Sequence, residues 1–165
     1  MGYRGYTTRH LPVRFPFGFG LSYTSFDIGK PRLSATTFEA GDILELEVGV
    51  TDTGERGGSE VVQCYVAPEA CRLFRPRMEL RSFGKVRLEP GESTTLTLRL
   101  DDRAFAYWDP ADRGHSERWS GVPVAAGRGS GPREEPGWHV DPGTYDLHMG
   151  RSSADIRHVV PVDLG

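Results

Sequence analysis

The sequence predicts an all-β protein folded as an antiparallel β-sandwich. Glycine (21) and proline (12) together make up a fifth of its 165 residues, which is typical of a fold with many turns and unlike a helical bundle. Short runs in which apolar and polar residues alternate recur from residue 42 to the C-terminus. Such runs, separated by regular turn signals, indicate about seven half-buried strands. No segment sustains the 3.6-residue period of an amphipathic helix.

The first strands are predicted near residues 27–34 and from Asp42 onward. In DILELEVGVTDT, apolar residues alternate with polar or small ones: Leu44, Leu46, Val48 and Val50. Successive side chains of a strand point to opposite faces, so this strand has one buried and one solvated face. The following strand, SEVVQCYVAPE, places Val62, Cys64 and Val66 on one face and Val61, Gln63 and Tyr65 on the other.

Two further strands flank the turn 89–92 in LRSFGKVRLEPGESTTLTLRLDD. Proline presets φ for a turn and glycine tolerates a positive φ, so the Pro-Gly pair predicts the turn. Beyond it, one face of the strand carries Leu96, Leu98 and Leu100. Asp101 and Asp102 are adjacent and would point to opposite faces of a strand, so they form no facing catalytic pair. We interpret them as the end of the strand and the cap of the next turn.

The C-terminal part predicts a final hairpin. After the turn at Pro142-Gly143, a strand carries Tyr145, Leu147 and Met149 on its inner face and His148 toward solvent. The last strand is predicted to turn Ile156, Val160 and Val162 inward, with His158 in the same phase. Pro161 has no N–H to donate, which places this strand at a sheet edge.

Two stretches do not fit the sandwich. Residues 1–26 form a leader that we expect to be extended, and it contains FPFGFGLSYTSF from Phe15 to Phe26. Residues 111–136 are rich in Gly, Arg, Ser and Pro and have no periodicity. A structureless loop of this length is either functional or mobile, and we expect a mobile insert. The predicted domains are therefore the leader, 1–26, and the sandwich, 27–165.

The bulk composition excludes several classes of function. A formal net charge of −3 gives no reason to expect nucleic acid or a membrane surface as partner. No run approaches the ~20 apolar residues of a membrane span, and the absence of an apolar signal segment favours the cytoplasm. No cofactor is implied. Cys64 and Cys71 are expected to be a buried thiol and a loop thiol rather than a disulfide framework.

Candidate site residues are few. The histidines are scattered and lack metal-ligand spacing, so no metal site is predicted: His10, His115, His139, His148 and His158. No carboxylate pair lies in a pocket-forming pattern, so no catalytic residue is predicted. Trp108 and Trp138 are expected to pack at the end of the sandwich. Trp119, a large apolar residue in the polar insert, is a candidate contact for a ligand or a neighbouring domain.

The leader and several later segments resemble one known family. FPFGFGLSYTSF resembles the segment that leads into the C-terminal fibronectin type III-like domain of glycoside hydrolase family 3 enzymes, and YRGY resembles the tyrosine-rich stretch before it. The segments VVQCYVAPE, RPRMELRSFGKVRLEPGES, AFAYWDP and GWHVDPGTYDLHMGRSSADIR resemble later parts of that domain, in family order. The resemblance covers the chain except the insert at 111–136. It implies a fibronectin type III-like, or immunoglobulin-like, sandwich.

The same resemblance implies a non-catalytic role. Family 3 enzymes are retaining glycosidases, mostly β-glucosidases and β-xylosidases, whose aspartate nucleophile lies in a Ser-Asp-Trp type motif on an upstream domain. A retaining mechanism needs two carboxylates about 5–5.5 Å apart, and this sequence has no Ser-Asp-Trp motif. The expected function is thus an accessory module that stabilises catalytic domains. Its leader residues are the expected contacts with those domains: Phe15, Phe17, Phe19, Leu21 and Tyr23.

Two alternatives remain open at this point. One is a stand-alone carbohydrate-binding or adhesion module that uses Trp119 and other exposed aromatic residues. The other is a truncated relic of a glycosidase gene, since the start at MGYRGY falls inside a segment that resembles the family.

Overall fold

The computed structural model describes residues 2–111 and 135–165. It confirms an all-β sandwich. The strands are β1 (Phe26–Ile28), β2 (Arg32–Leu33), β3 (Thr37–Phe38), β4 (Leu44–Asp52), β5 (Gly58–Pro68), β6 (Glu79–Leu88), β7 (Ser93–Leu100), β8 (Tyr107–Asp109), β9 (Gly137–His139), β10 (Gly143–Ser152) and β11 (Asp155–Leu164). Two short helices, α1 (Tyr3–Thr8) and α2 (Asp102–Phe105), accompany them.

Two sheets enclose the core. In the first, β4 pairs with β1 and β2 and, along nearly its whole length, with β7. In the second, the strand order is β3-β11-β10-β5-β6. The predicted inward residues meet between the sheets, and their burial confirms the predicted phase of four strands: Leu44, Leu46, Val48, Val50, Val62, Cys64, Val66, Leu98, Leu100, Tyr145, Leu147 and Met149. Burial raises the pKa of the Cys64 thiol to about 12.

The predicted turn at residues 89–92 connects the two sheets. Gly91 has a φ of 76°, and the Glu92 N–H donates to the Glu89 carbonyl at 2.9 Å. Proline followed by glycine at positive φ is the signature of a type II turn. Because β6 and β7 belong to different sheets, this turn closes one side of the sandwich and does not form a hairpin.

The described strands number more than the seven predicted. The strand expected near 27–34 is divided into β1 and β2, which pair with successive parts of β4. Pro31 lies between them and has no N–H for the ladder. A further two-stranded sheet, β8 with β9, flanks the sandwich.

The prediction that Ile156 points inward is wrong. In the pairing of β10 with β11, Met149 is opposite His158 but Gly150 is opposite Ile156, so Arg157 is an extra residue. Such a β-bulge reverses the alternation, and Ile156 therefore packs with the outer cluster around Tyr65. Gly150 fits this bulge because a Cβ there would lie 2.1 Å from the Asp155 carbonyl oxygen.

Val160 packs against the core and Val162 is buried in it, as predicted. His158 keeps the inward phase, and its Nε2 lies 2.7 Å from the Ile28 carbonyl oxygen. β11 pairs with β3 only through Asp163 and Leu164. β11 is therefore not an edge strand as a whole, since β3 lies beyond it in the sheet order, but among the described residues Pro161 stands on the stretch that β3 does not reach.

His148 is half-buried, whereas the sequence predicts a solvent-facing side chain. It lies on the outer face of β10, opposite the fully buried Tyr65 of β5. That outer face carries a second apolar cluster, so it is not solvated as the alternation suggests. Burial lowers the pKa of His148 below the ordinary histidine value.

The leader is not extended throughout. Its first part forms α1, in which the Thr7 and Thr8 hydroxyls donate to the carbonyls of Tyr3 and Arg4 at 2.7 and 2.6 Å. Six residues are too few for a stable isolated helix. Packing against the sandwich must therefore supply the stability that its sequence lacks.

The aspartate pair after β7 acts as predicted. Asp101 caps α2 by accepting a hydrogen bond from the Ala104 N–H, at 3.2 Å. Asp102 accepts from the Gly41 N–H at 3.0 Å and so ties α2 to the loop before β4. Neither helix of the described residues is long and apolar enough to cross a membrane.

Candidate functional site

The leader carries an exposed apolar surface, here called the leader surface. It consists of the predicted contact residues, with these exposed fractions: Phe15 67%, Phe17 46%, Phe19 48%, Leu21 91% and Tyr23 93%. Phe15 and Phe19 lie with ring centroids 5.6 Å apart. Exposed apolar patches of this kind are candidates for interaction sites.

The middle of the leader is fixed to the second sheet. The Ser153 N–H donates to the Phe17 carbonyl at 2.8 Å. The next residue, Gly18, has a φ of 84° and lies directly against the Gln63 side chain, where a Cβ would come within 2.2 Å of Nε2. Glycine is required here on both counts, conformation and space.

Gln63 is itself held by buried hydrogen bonds. Its Nε2 donates to the Arg151 carbonyl at 2.8 Å, and its Oε1 accepts from the Tyr65 hydroxyl. Burial raises the pKa of Tyr65, so its hydroxyl stays protonated and remains a donor. A buried network whose hydrogen bonds are all satisfied is rigid, so the surface on which the leader packs has a fixed shape.

The end of the leader is anchored to the first sheet. The Thr24 hydroxyl donates to Asp52 Oδ1 at 2.6 Å, and the Thr53 N–H donates to the Ser25 carbonyl at 2.8 Å. Asp52 is fully buried and also accepts from the Gly54 N–H at 2.9 Å. Hydrogen bonds to a carboxylate are among the stronger ones in proteins. Leu21 and Tyr23 therefore project from a backbone that is held on both sides.

The start of the leader is anchored through Tyr3. Its ring stacks on Phe17 at 4.6 Å and meets the edge of Tyr65 at 5.9 Å, and its hydroxyl accepts from the Leu80 N–H at 2.7 Å. Tyr65, Ala67 and Met78 form the buried centre of this outer cluster. The leader thereby covers part of the outer face of the second sheet.

A charged network adds to this anchor. Glu79 is 9% exposed and lies within ion-pair distance of three arginines: Arg4 at 3.3 Å, Arg75 at 3.5 Å and Arg81 at 2.9 Å. Arg4 belongs to α1, whereas Arg81 lies on β6. The network thus joins the leader helix to the sandwich. Sequence reasoning missed it, since nothing in the alternation of β6 brings residue 4 to residue 79.

Two grooves border the leader surface. The upstream groove, of about 460 Å³, lies between α1 and residues 11–17 and is floored by Ser153 and Ala154. The downstream groove, of about 490 Å³, lies between residues 16–22 and the second sheet. An ion pair between Arg151 and Glu60 lines the downstream groove, beside Lys85. The site combines an apolar surface with charged residues at its edge, an arrangement that is common in protein–protein interfaces.

The sequence makes separate predictions for the three tryptophans. Trp119 lies outside the described residues. Trp108 and Trp138 are 52% and 47% exposed, so the prediction that they pack into the end of the sandwich is wrong. They are directly opposed on β8 and β9, where they contact each other, while Tyr107 and Asp109 point inward.

Comparison with known proteins gives one consistent result. The model of the fibronectin type III-like domain family matches residues 60–128. A β-glucosidase of Rhizobium radiobacter is 40% identical over 99% of this chain, which corresponds to 17% of that enzyme. An exo-α-(1→6)-L-arabinopyranosidase of Bifidobacterium breve is 38% identical over 99% of the chain and 18% of its own length. The chain thus spans less than a fifth of these relatives.

Solved structures agree. The crystal structure of a GH3 β-glucosidase from Bifidobacterium adolescentis superposes with a TM-score of 0.78 at 37% identity, covering 99% of this chain and 20% of that one. The similarity includes the leader as well as the sandwich, because coverage is nearly complete.

Proposed function

Because this chain is a fibronectin type III-like domain of the kind found at the C-terminal end of glycoside hydrolase family 3 β-glucosidases, we propose that it buttresses the catalytic part of such an enzyme through the leader surface. In this proposal, residues 1–26 connect and contact the catalytic domains, and residues 27–165 form the supporting sandwich.

The observation that carries the proposal is the combination of exposure and anchoring. Leu21 and Tyr23 are almost fully exposed, yet hydrogen bonds of the Phe17 and Ser25 carbonyls and of the Thr24 hydroxyl hold the leader in place. A preorganised surface loses little conformational freedom when a partner covers it. Burying each large side chain contributes about 1.5–3 kcal/mol, so the leader surface supplies substantial docking energy.

We further propose that the module does no chemistry of its own. The matching relatives include a β-glucosidase and an arabinopyranosidase, two enzymes named for different sugars. A module shared by both is suited to a structural task common to them. The carboxylates of the site support this view, because Asp52 and Glu79 are engaged with Thr24 and with arginines, respectively.

A chimera tests the docking role. This chain replaces the matching segment of the Rhizobium radiobacter β-glucosidase, and thermal inactivation of β-glucosidase activity is followed. Leu21→Ser with Tyr23→Ser is expected to lower the inactivation temperature of the chimera, because both side chains lose their buried contacts. The same double variant leaves the melting temperature of the isolated chain within about 1 °C, because both side chains are already exposed there.

Phe83→Ser is the matched control, since Phe83 is 67% exposed but lies on β6, outside the leader. Equal inactivation temperatures for the leader variant, the control and the parent chimera would refute the docking role. Hydrolysis of an aryl β-glucoside by the purified chain, above a heat-killed sample, would refute the non-catalytic part.

A further inference from the structure

Another cavity lies apart from the leader surface and shares no lining residue with the two grooves there. This end cavity, of about 570 Å³, is formed by the loop before β4, by α2 and by β9. Its volume falls within the range of about 300–1,000 Å³ that is usual for small-molecule sites. The residues that decide its chemistry are Ile43, Asp101, Asp102, Arg103 and Trp138.

One wall of the end cavity is apolar and solvent-accessible. Trp138 and Ile43 line it and are 47% and 61% exposed. Trp108, 52% exposed, lies beside this wall, with its ring centroid 5.7 Å from that of Trp138 and the planes at 72°. Indoles are seldom left this open, because each ring can bury a large apolar area. The two neighbouring open indoles form an apolar surface at the cavity.

The remainder of the lining forms a polar wall that adjoins the indoles. The Arg103 guanidinium lies 3.4 Å from the ring centroid of Trp138, a cation–π contact that fixes its position and covers one face of that indole. Within residues 2–111 and 135–165, that guanidinium has no ion pair or side-chain hydrogen bond, so its N–H donors are available. Asp101 and Asp102 accept from the N–H groups of Ala104 and Gly41 and retain lone pairs for further donors.

We propose that the end cavity binds a neutral carbohydrate, with the pyranose rings against the indole surface that Arg103 leaves open and the hydroxyls on the polar wall. Sugars are amphipathic, with C–H faces and hydroxyl edges, and the two walls match these two parts. Carboxylates accept from hydroxyls and the guanidinium donates to them. Asp42, Asp101 and Asp102 outnumber Arg103 in the lining, which disfavours uronates and other anionic sugars. The proposal is independent of the docking role of the leader.

Calorimetric titration of the full chain with cellohexaose, laminarihexaose, xylohexaose and hexagalacturonate tests it. We expect saturable binding of at least one neutral oligosaccharide and weaker or no binding of hexagalacturonate. Trp138→Ala is expected to weaken binding about tenfold or more, as loss of a central aromatic contact does. Arg103→Met, which keeps an unbranched apolar side chain but removes the donors, is expected to weaken it as well.

Phe83→Ala is the control, because it removes an exposed aromatic ring outside the cavity and is expected to leave the Kd unchanged. Melting temperatures verify that each variant is folded, and Trp108→Ala is the replacement if Trp138→Ala is not. Absence of saturable binding to all three neutral oligosaccharides, an unchanged Kd in folded Trp138→Ala and Arg103→Met, or preferred binding of hexagalacturonate would each overturn the proposal.

Discussion

At the residue scale, the packing of the leader against the second sheet depends on Gly18. Its φ of 84° lies in the left-handed region, and an added Cβ would lie 2.2 Å from Gln63 Nε2. Gln63 is not free to move aside, because it donates to the Arg151 carbonyl and accepts from Tyr65. Any side chain at position 18 must therefore strain the backbone, break this network or lift the leader.

Gly18→Ala is expected to weaken leader docking by about 2 kcal/mol, from backbone strain and the loss of a buried hydrogen bond. The Ser153 amide donates to the Phe17 carbonyl, so its hydrogen exchange reports on leader docking. Its hydrogen-exchange rate should rise about thirtyfold, since 1.4 kcal/mol corresponds to a factor of ten. Gly20→Ala is the matched control, because a Cβ at Gly20 meets no atom within 4 Å. Equal exchange rates in the two variants would contradict the prediction.

At the element scale, α1 depends on its contacts with the second sheet. With six residues it has little intrinsic stability, and Tyr3 provides the main contacts. The Tyr3 hydroxyl accepts from the Leu80 N–H at 2.7 Å, while Thr8 accepts from the Arg77 N–H at 2.9 Å. These two bonds join α1 to the segment that begins β6.

Tyr3→Phe keeps the stacking on Phe17 but leaves the Leu80 N–H without this acceptor. We expect α1 to dock less tightly by about 1 kcal/mol. The Arg77 amide, which bonds Thr8 and not Tyr3, should then exchange several-fold faster. Tyr6→Phe serves as control, since Tyr6 is 48% exposed and its hydroxyl has no hydrogen bond among the described residues. An unchanged Arg77 exchange rate in Tyr3→Phe would show that the stacking alone holds the helix.

The sequence predicts those elements whose structure is determined by residues close together in the chain. The alternation in β4, β5, β7 and β10 fixes their inner faces, because every second residue is apolar. The phase at Ile156 cannot be read this way, since the bulge at Arg157 arises from its pairing with β10. Helix α1 cannot be predicted from the sequence either, because tertiary contacts, and not the intrinsic helix stability of its six residues, hold it in place.

At the scale of the whole molecule, the same distinction applies to the site. The apolar residues of the leader surface are evident from FPFGFGLSYTSF, and the structure finds all of them exposed. The anchoring network is not evident, because Gln63, Asp52 and Glu79 reach the leader only after the sheets form. The exposure of Trp108 and Trp138 likewise depends on β8 and β9 lying beside the sandwich.

An exposed leader surface also predicts how the isolated chain behaves. Leu21 and Tyr23 are 91% and 93% exposed, and an uncovered apolar surface promotes association between copies. The formal net charge of −3 offers only weak repulsion against it. We therefore expect light scattering of the isolated chain to show concentration-dependent self-association that salt does not remove, because screening weakens charge interactions and not apolar contacts.

The variant Leu21→Ser with Tyr23→Ser should raise the second virial coefficient and leave the melting temperature unchanged, because it removes exposed apolar area without touching the core. Phe83→Ser, which removes an exposed ring from β6, should have a smaller effect, since Phe83 stands apart from the leader. If the control reduced association as much as the leader variant, the edge of the second sheet and not the leader would be the adhesive surface of this molecule. In that case, self-association would not favour the leader over that edge as the surface that a catalytic domain covers.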